Sequence, residues 1–355
     1  MHFSTAIRLV YNFFFTSTMN ADTPRPSSAS SSRSGRPERI KRLVNEIDLS
    51  DEDDEGDAWE DDKFFEEYLR KSNYLRRRGT QESNSLSDYE SVDNFSTTVS
   101  CCSYRSIEKF VKDLTSSFSL KKDKIRAIYS WLVHNYNRVD CCRIRRELTL
   151  LKMCSLVNIQ CEIVHGYRKS ENFIPGDKLN ELYRHQWNLV TFDDINGLID
   201  VKTAFSEPYG IDYFFLTKPE NLIISHLPDK VEHQLLANKI NEEKFRNSIR
   251  SWPAKFALSI KTLAPMDGVG FIQTKTGKFS VKLRARRHSL SSTLVVIGLH
   301  GEKRVDEYVD HRISNIEEEE VFDLVLPAKT RYILTIVVQE EDVQLPVQQY
   351  TIDYQ

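Results

Sequence analysis

The sequence predicts an α+β protein, in which a mixed helical and β domain is followed by an all-β domain and preceded by a polar tail. Three observations predict this. Apolar residues recur at helical spacing between residues 107 and 133, alternate at strand spacing around residues 185 to 201, and form short strand-like runs after residue 252. The chain has 355 residues. Because single cores usually stop growing near about 250 residues, two domains are expected.

Residues 1–102 are predicted to form a disordered tail. Residues 19–50 are rich in Ser, Pro and Arg, and an acidic block follows at residues 51–62, so the segment has too few apolar residues to build a core. A helix that presents Trp59, Phe64 and their neighbours to a partner is the alternative interpretation.

The first seventeen residues resemble a signal peptide only weakly, because Arg8 and Asn12 interrupt the apolar run. We therefore expect neither secretion nor a membrane-spanning segment, with Met19 as an alternative start.

Ordered structure is expected to begin near Ser103. Ile107, Phe110, Val111 and Leu114 fall at the i, i+3, i+4 and i+7 spacing of an amphipathic helix. A second helix is predicted over residues 120–135, with Trp131 in its apolar stripe and therefore in the core. A third is predicted from about Arg143 to Val157.

Two strands are predicted around a turn at residues 193–197. Alternation through Trp187, Leu189 and Thr191 indicates the first strand, and the run from Leu198 to Val201 indicates the second. His185 is then expected to face Asp200 across the hairpin. A carboxylate in that place accepts an imidazole N–H, fixes the tautomer of the ring and leaves its other nitrogen free to act on a thiol.

The C-terminal third is predicted to be an antiparallel β-sandwich, immunoglobulin-like in the broad sense, over residues 251–355. Seven short apolar runs separated by turn residues indicate its strands. They are residues 256–260, 270–272, 279–283, 294–299, 321–326, 332–338 and 349–354.

Composition excludes some classes of function. The chain has 49 basic and 52 acidic residues and a net charge of −3, so no nucleic-acid-binding surface is indicated. Its six cysteines show no Cys-x-x-Cys spacing, which favours reduced thiols in an intracellular protein and gives no zinc motif. We expect no metal and no cofactor, and the sequence leaves the oligomeric state open.

The order of several motifs resembles the transglutaminase-like superfamily, and within it the kyphoscoliosis peptidase type. The motifs are the His185-Gln186-Trp187-Asn188 strand, the Leu198-Ile199-Asp200 strand, the segment Cys161 to Lys169 before them, and Tyr213 to Glu220 and His226 to Asp229 after them. The resemblance implies a papain-like core at residues 103–250. It also implies a cytoplasmic protein that associates with the cytoskeleton and has cytoskeletal or sarcomeric partners.

In active members of this family a Cys opens a buried helix, where the helix N-terminus and a nearby imidazole stabilise the thiolate. Cys142 lies near the start of the predicted third helix and would complete a Cys142-His185-Asp200 triad. The register disagrees, because counting back from Met153 to Leu156 places Arg143 at the position of the nucleophile. The family's Cys-(Ala/Glu)-Gly-Tyr signature is also absent.

Two interpretations follow for the thiol site. The one we favour is a degenerate, non-catalytic site in a cytoskeleton- or muscle-associated scaffold. The alternative is an active cysteine peptidase or acyl transferase in which a shifted Cys142 reacts, with its thiol pKa lowered by Arg143 and its basic neighbours. A simple binding module made of the sandwich alone would require that residues 105–250 form no papain-like core.

Overall fold

A computed structural model of the chain describes residues 89–101, 104–135, 146–266, 268–285, 289–298, 301–314, 318–340 and 343–355. The fold is α+β with many antiparallel strands, as predicted. Within this part of the chain, no helix has both the length and the apolar character needed to cross a membrane.

Among the described residues, four helices precede the first strand: α1 (Glu90–Thr98), α2 (Ile107–Thr115), α3 (Lys121–His134) and α4 (Arg146–Ser155). The sequence predicted α2 and α3 almost to the residue. Ser106 caps α2, since its side chain accepts a hydrogen bond from the backbone N–H of Lys109. Trp131 is buried and its indole N–H donates to the carbonyl of Val99, which confirms its place in the core.

Helix α1 shows that ordered structure begins earlier than Ser103, within the stretch predicted to be a tail. Asp93 of α1 is buried and forms a bidentate ion pair with Arg126 of α3, with N–O distances of 2.8 and 2.7 Å. The charge pattern of residues 88–93 is acidic, which favoured a solvated tail. The sequence alone did not show that Asp93 would form an ion pair with the buried Arg126 of α3.

The first sheet is antiparallel, with strand order β3-β2-β1-β4. Its strands are β1 (Gln160–Arg168), β2 (Arg184–Phe192), β3 (Ile195–Ile199) and β4 (His226–Pro228). The β2–β3 turn is tighter than the five-residue turn expected, because Asp193 and Asp194 both adopt positive φ and close it in two residues. Helices α1 to α4 and this sheet enclose one apolar core.

Short helices follow β3. Helices α5 (Val201–Ser206), α6 (Gly210–Tyr213) and α7 (Pro219–Leu222) lie between β3 and β4 of the first sheet, and α8 (Glu242–Asn247) and α9 (Pro253–Ala257) follow β4. Helix α9 corrects the strand that we predicted over residues 256–260. Pro253 occupies the first turn of the helix, where its fixed φ and missing N–H favour helix initiation.

The described residues of the C-terminal third form two sheets around a second apolar core. One has the order β10-β9-β13-β14-β5, with β7 parallel to β14, and the other has the order β11-β12-β8-β6. The strands are β5 (Arg250–Ser251), β6 (Lys261–Ala264), β7 (Phe271–Thr274), β8 (Lys278–Arg284), β9 (Leu290–Gly298), β10 (Gly301–Arg304), β11 (Val309–Ser314), β12 (Glu319–Val325), β13 (Arg331–Glu340) and β14 (Val343–Tyr354).

Lys169 joins the segment after β1 to the start of the C-terminal third. It is buried, and its Nζ donates to the carbonyl of Ser248 at 2.9 Å and to the Ser248 hydroxyl at 2.7 Å. Arg250 donates to the carbonyls of Glu171 and Phe173 in the same segment. These contacts hold the loop that leads into β2 and therefore help to place His185.

Candidate functional site

His185 lies near the start of β2, the second residue of that strand. Its cross-strand neighbour on β1 is Gly166. A Cβ added at Gly166 would lie 2.2 Å from the carbonyl oxygen of Leu227 and 2.7 Å from the Trp187 ring. The absence of a side chain at this position therefore allows β1, β4 and the Trp187 ring to approach closely behind His185.

Asp200 lies one residue beyond β3 and caps helix α5, which differs from the prediction that the strand continues to Val201. Its Oδ1 accepts a hydrogen bond from the backbone N–H of Thr203 at 2.9 Å. Asp is a favoured N-cap residue because its carboxylate satisfies an otherwise unpaired N–H of the first turn. The cap fixes the carboxylate beside β2.

The structure brings His185 and Asp200 together. His185 Nε2 lies 2.7 Å from Asp200 Oδ2, and both side chains are almost fully buried. Nδ1 of His185 makes no hydrogen bond to any residue in the described ranges. The pair therefore has the geometry expected of an imidazole that is oriented by a carboxylate and has its other nitrogen available.

A second imidazole shares the same carboxylate oxygen. His226, the first residue of β4, places Nε2 at 2.9 Å from Asp200 Oδ2, and its Nδ1 lies 2.8 Å from the hydroxyl of Ser225. The Thr203 hydroxyl also donates to Oδ2. Asp200 thus accepts four hydrogen bonds, three of them on one oxygen.

These contacts explain the charge states of Asp200 and His226. Burial by itself raises the pKa of Asp200, but the charge and hydrogen bond of His185 and the hydrogen bond of His226 outweigh it and hold this pKa well below its usual range. Burial lowers the pKa of His226 to about 4 against the opposing effect of Asp200. His226 is therefore neutral near pH 7 and Asp200 is charged.

Aromatic rings surround the two imidazoles. The Trp187 ring is stacked on His185 at 6.3 Å between centroids and stands edge-on to His226 at 5.1 Å. Phe214 lies edge-on to His226 at 5.7 Å. This wall excludes water from Asp200 and strengthens its interactions with both rings.

His185, Asp200 and His226 also have the ligand types of a zinc site, with their ligand atoms within 4.8 Å of one another. The two N–O distances of 2.7 and 2.9 Å are hydrogen-bond lengths. Each such bond needs a proton on the nitrogen that a metal would have to displace. Since the protein's own donors already satisfy the carboxylate, the cluster fits a hydrogen-bonded acid–base group better than a metal centre.

The third expected member of the site, Cys142, lies outside the described residues, as do Cys141 and Arg143. The cysteines within the described residues are Cys101, Cys154 and Cys161. Cys154 is fully buried on α4, and its hydrogen bond to Cys161 together with burial raises the pKa of its thiol. This agrees with the prediction that it acts as a small apolar residue.

Sequence reasoning found His185 and Asp200 and missed the role of His226. The signal was present, because His226 opens the His226-Leu227-Pro228-Asp229 motif that carries part of the family resemblance. Thr203 gave no signal of its own. It follows Asp200 by three residues, a spacing that becomes meaningful only once Asp200 is known to be a helix cap.

Three known proteins resemble this chain. Kyphoscoliosis peptidase of Homo sapiens is 24% identical over 249 residues, which cover 61% of this chain and 36% of the relative. Hillarin of Drosophila melanogaster is 26% identical over 199 residues, covering 45% and 24%. Cytokinesis protein 3 of Schizosaccharomyces pombe is 31% identical over 100 residues, covering 25% and 11%.

No family model matches the chain. The matched region spans about a third or less of the length of each of these relatives. The similarity to kyphoscoliosis peptidase confirms the resemblance that the sequence motifs indicate.

Proposed function

We propose that this chain, a relative of the kyphoscoliosis peptidases, is a cytoskeleton-associated scaffold whose thiol site has lost its nucleophile while keeping its imidazole and carboxylate. One observation supports this most directly. His185 and Asp200 form a hydrogen-bonded pair, while an ungapped count along the sequence gives Arg143, rather than a cysteine, at the position where the family resemblance expects the nucleophile. An imidazole without a thiol cannot form the thioester intermediate of a cysteine peptidase.

The register that gives Arg143 is a count along the sequence without gaps, back from the Met153 to Leu156 segment that matches the family. Met153 and Cys154 of α4 are both buried in the first core. Arg143 itself lies outside the described residues.

The cytoskeletal part of the proposal is supported by the relatives. Cytokinesis protein 3 is named for cytokinesis, a process in which cytoskeletal filaments divide the cell. The C-terminal immunoglobulin-like sandwich, as we interpret it, is a type of module that binds proteins or buttresses its neighbour. Cytoskeletal or sarcomeric proteins are the partners that we propose.

A second candidate is favoured by His185 Nδ1, to which no described residue is hydrogen-bonded, and by the relative named as a peptidase. In this reaction the Cys142 sulfur attacks an amide carbonyl and its proton passes to His185 Nδ1. The C–N bond breaks, the leaving amine takes that proton, and a thioester remains. Water or a second amine then resolves the thioester and regenerates the thiol.

Alkylation by iodoacetamide between pH 5 and 9, read at each cysteine by mass spectrometry, separates the two candidates. If the chain is a scaffold, we expect Cys141 and Cys142 to react as ordinary thiols, with half-maximal alkylation rates at about pH 8.5. Replacing His185 by Gln should then leave their rates unchanged. A Cys142 that reacts fast near neutral pH, and slows about tenfold or more in the His185→Gln protein, would establish the enzyme instead.

Cys101→Ser is the matched control for the alkylation experiment, because Cys101 is a half-buried thiol that has no place in the proposed site.

The scaffold role itself is tested by co-sedimentation of the full chain with purified actin filaments and with microtubules. We expect the protein to pellet with one of them at micromolar concentration. Recovery in the supernatant with both filament types would contradict the cytoskeletal assignment.

A further inference from the structure

Strand β11 (Val309–Ser314) forms one edge of the four-stranded sheet. Its order is β11-β12-β8-β6, and among the described residues β11 pairs with β12 alone. Residues 310–313 of this strand are exposed on both faces, and the Ile313 residue is 57% exposed. An edge strand of this kind has backbone groups on its open side that are able to pair with a further strand.

The side chains along β11 are complementary to those of a second β11 strand that runs in the opposite direction. Two copies paired antiparallel about His311 would place Asp310 opposite Arg312 of the other copy, twice, and Val309 opposite Ile313, twice. Opposite charges would then lie on one face of the joined sheet and apolar pairs on the other.

We propose that β11 is a self-association surface whose partner is β11 of a second copy of this chain, related by a two-fold axis at His311. The two four-stranded sheets would join into one continuous sheet. Such an interface is isologous, since the same patch is used on both copies, and it closes at the dimer.

Protection against aggregation is the competing explanation for charges on an edge strand. Charges of one sign would repel a second copy in any register. Asp310 and Arg312 are instead of opposite sign and lie at equal distances from His311, so the register that aligns the two strands brings unlike charges together. Both side chains are well exposed, at 73% and 64%. Within one copy Arg312 contacts Asp310 at 3.7 Å and also pairs with Asp323 of β12, so association would exchange or extend these ion pairs across the axis.

The central residue is already fixed against its own sheet. His311 Nε2 lies 2.8 Å from the Glu320 carboxylate, and its ring is stacked on Phe322 at 4.3 Å with a 7° interplanar angle. The two copies of His311 would therefore meet as flat, ordered side chains on the axis. Little side-chain freedom remains to be lost there on association.

The interface is small, because one short strand from each copy supplies it. Interfaces below about 1,200 Å² are typical of weak and transient complexes, so we expect a dissociation constant in the micromolar range or above. This proposal goes beyond the scaffold function and does not depend on it. A self-associating scaffold would be able to link two bound filaments.

Sedimentation velocity of the full chain from about 5 to 500 μM tests the proposal. We expect a concentration-dependent monomer–dimer equilibrium for the natural protein. Arg312→Asp should weaken it about tenfold or more, because acidic side chains then face one another across the axis. Asp310→Arg should weaken association by a similar factor, because basic side chains then face one another across the axis.

The double substitution Asp310→Arg with Arg312→Asp is the decisive variant, since it restores unlike pairs in reversed order and should restore the dimer. Lys121→Asp, an exposed charge reversal on α3, is the control and should leave association unchanged. Circular dichroism and thermal unfolding establish that each variant folds. A natural protein that stays monomeric throughout, or a folded double variant that does not recover, would overturn the proposal.

Discussion

His226 and His185 donate to the same oxygen of Asp200, at 2.9 and 2.7 Å. A buried carboxylate that accepts from two imidazoles, a hydroxyl and a backbone N–H has its hydrogen-bonding capacity filled by the protein. Asp200 is therefore kept ionised in a place from which water is excluded. This relationship leads to predictions that hold whether or not a thiol reacts at the site.

The first prediction concerns acid stability. The pKa of His226 is lowered by burial to about 4 in the folded protein, against an ordinary value of 6.5. The unfolded chain therefore takes up the proton first as pH falls, so this contribution to stability is complete above pH 6.5 and is lost as pH falls toward 4. We expect a loss of about 3 kcal/mol, since each pH unit is worth about 1.4 kcal/mol.

Urea unfolding at a series of pH values from 7 to 4.5 measures this loss. His226→Gln keeps a donor for Asp200 but has no proton to gain, so its stability should change less across the window. His165→Gln, an exposed histidine on β1, should retain the slope of the natural protein. Equal slopes in the natural protein and in His226→Gln would show that His226 titrates normally.

A second prediction concerns the charge of Asp200. Asp200→Asn keeps a side chain that caps α5 well, but it removes the negative charge and offers one oxygen where the carboxylate offers two. We expect the free energy of unfolding at pH 7 to fall by about 3 kcal/mol, because two buried imidazole donors lose a charged acceptor. Thr203→Val should cost less, since it removes one donor and leaves the backbone cap. If Asp200→Asn lowers the free energy of unfolding by no more than Thr203→Val does, the negative charge of Asp200 contributes little to stability.

The third prediction concerns Gly166. Gly166→Ala would put its Cβ 2.2 Å from the Leu227 carbonyl oxygen, a backbone atom that cannot move away without shifting β4. We expect a destabilisation of about 1–3 kcal/mol, typical of an overpacked core. Because β4 carries His226, the substitution should also displace the second imidazole. Gly268→Ala is the control for glycine replacement as such: a Cβ there meets nothing within 4 Å, although its positive φ adds some strain.

Local sequence patterns were sufficient to predict a helix or strand where the pattern agreed with the packing. Helices α2 and α3 follow from their apolar stripes, and β2 follows from alternation. The residues around Asp200 identified it as a site residue, but they did not reveal its role as a helix cap. The apolar pattern is the same whether the strand ends at Ile199 or continues past Asp200. Helix α9 was mistaken for a strand because apolar residues 256–260 have no period that distinguishes the two, and Pro253 was the signal that decided it.

Contacts between distant residues were beyond the reach of local patterns. His226 follows Asp200 by 26 positions and meets it only because β4 pairs with β1. Helix α1 likewise depends on a partner, since an acidic nine-residue segment is not expected to be stable alone. Its buried Asp93 meets Arg126, which lies 33 positions further along the chain.

The last prediction concerns that buried ion pair. Arg126 and Asp93 are both almost fully buried and bonded through two nitrogens and two oxygens, with Asp212 as a second acceptor at 2.6 Å. Asp93→Ala removes the fully buried, bidentate acceptor and leaves Arg126 with Asp212 as its one remaining carboxylate, so we expect a cost of about 3 kcal/mol, the low end for a broken buried pair. Replacing both, as Asp93→Leu with Arg126→Met, removes the charges together and should recover most of that loss. Urea unfolding of the single and double variants measures the coupling, and simple additivity would mean that α1 is held by its apolar contacts rather than by the ion pair.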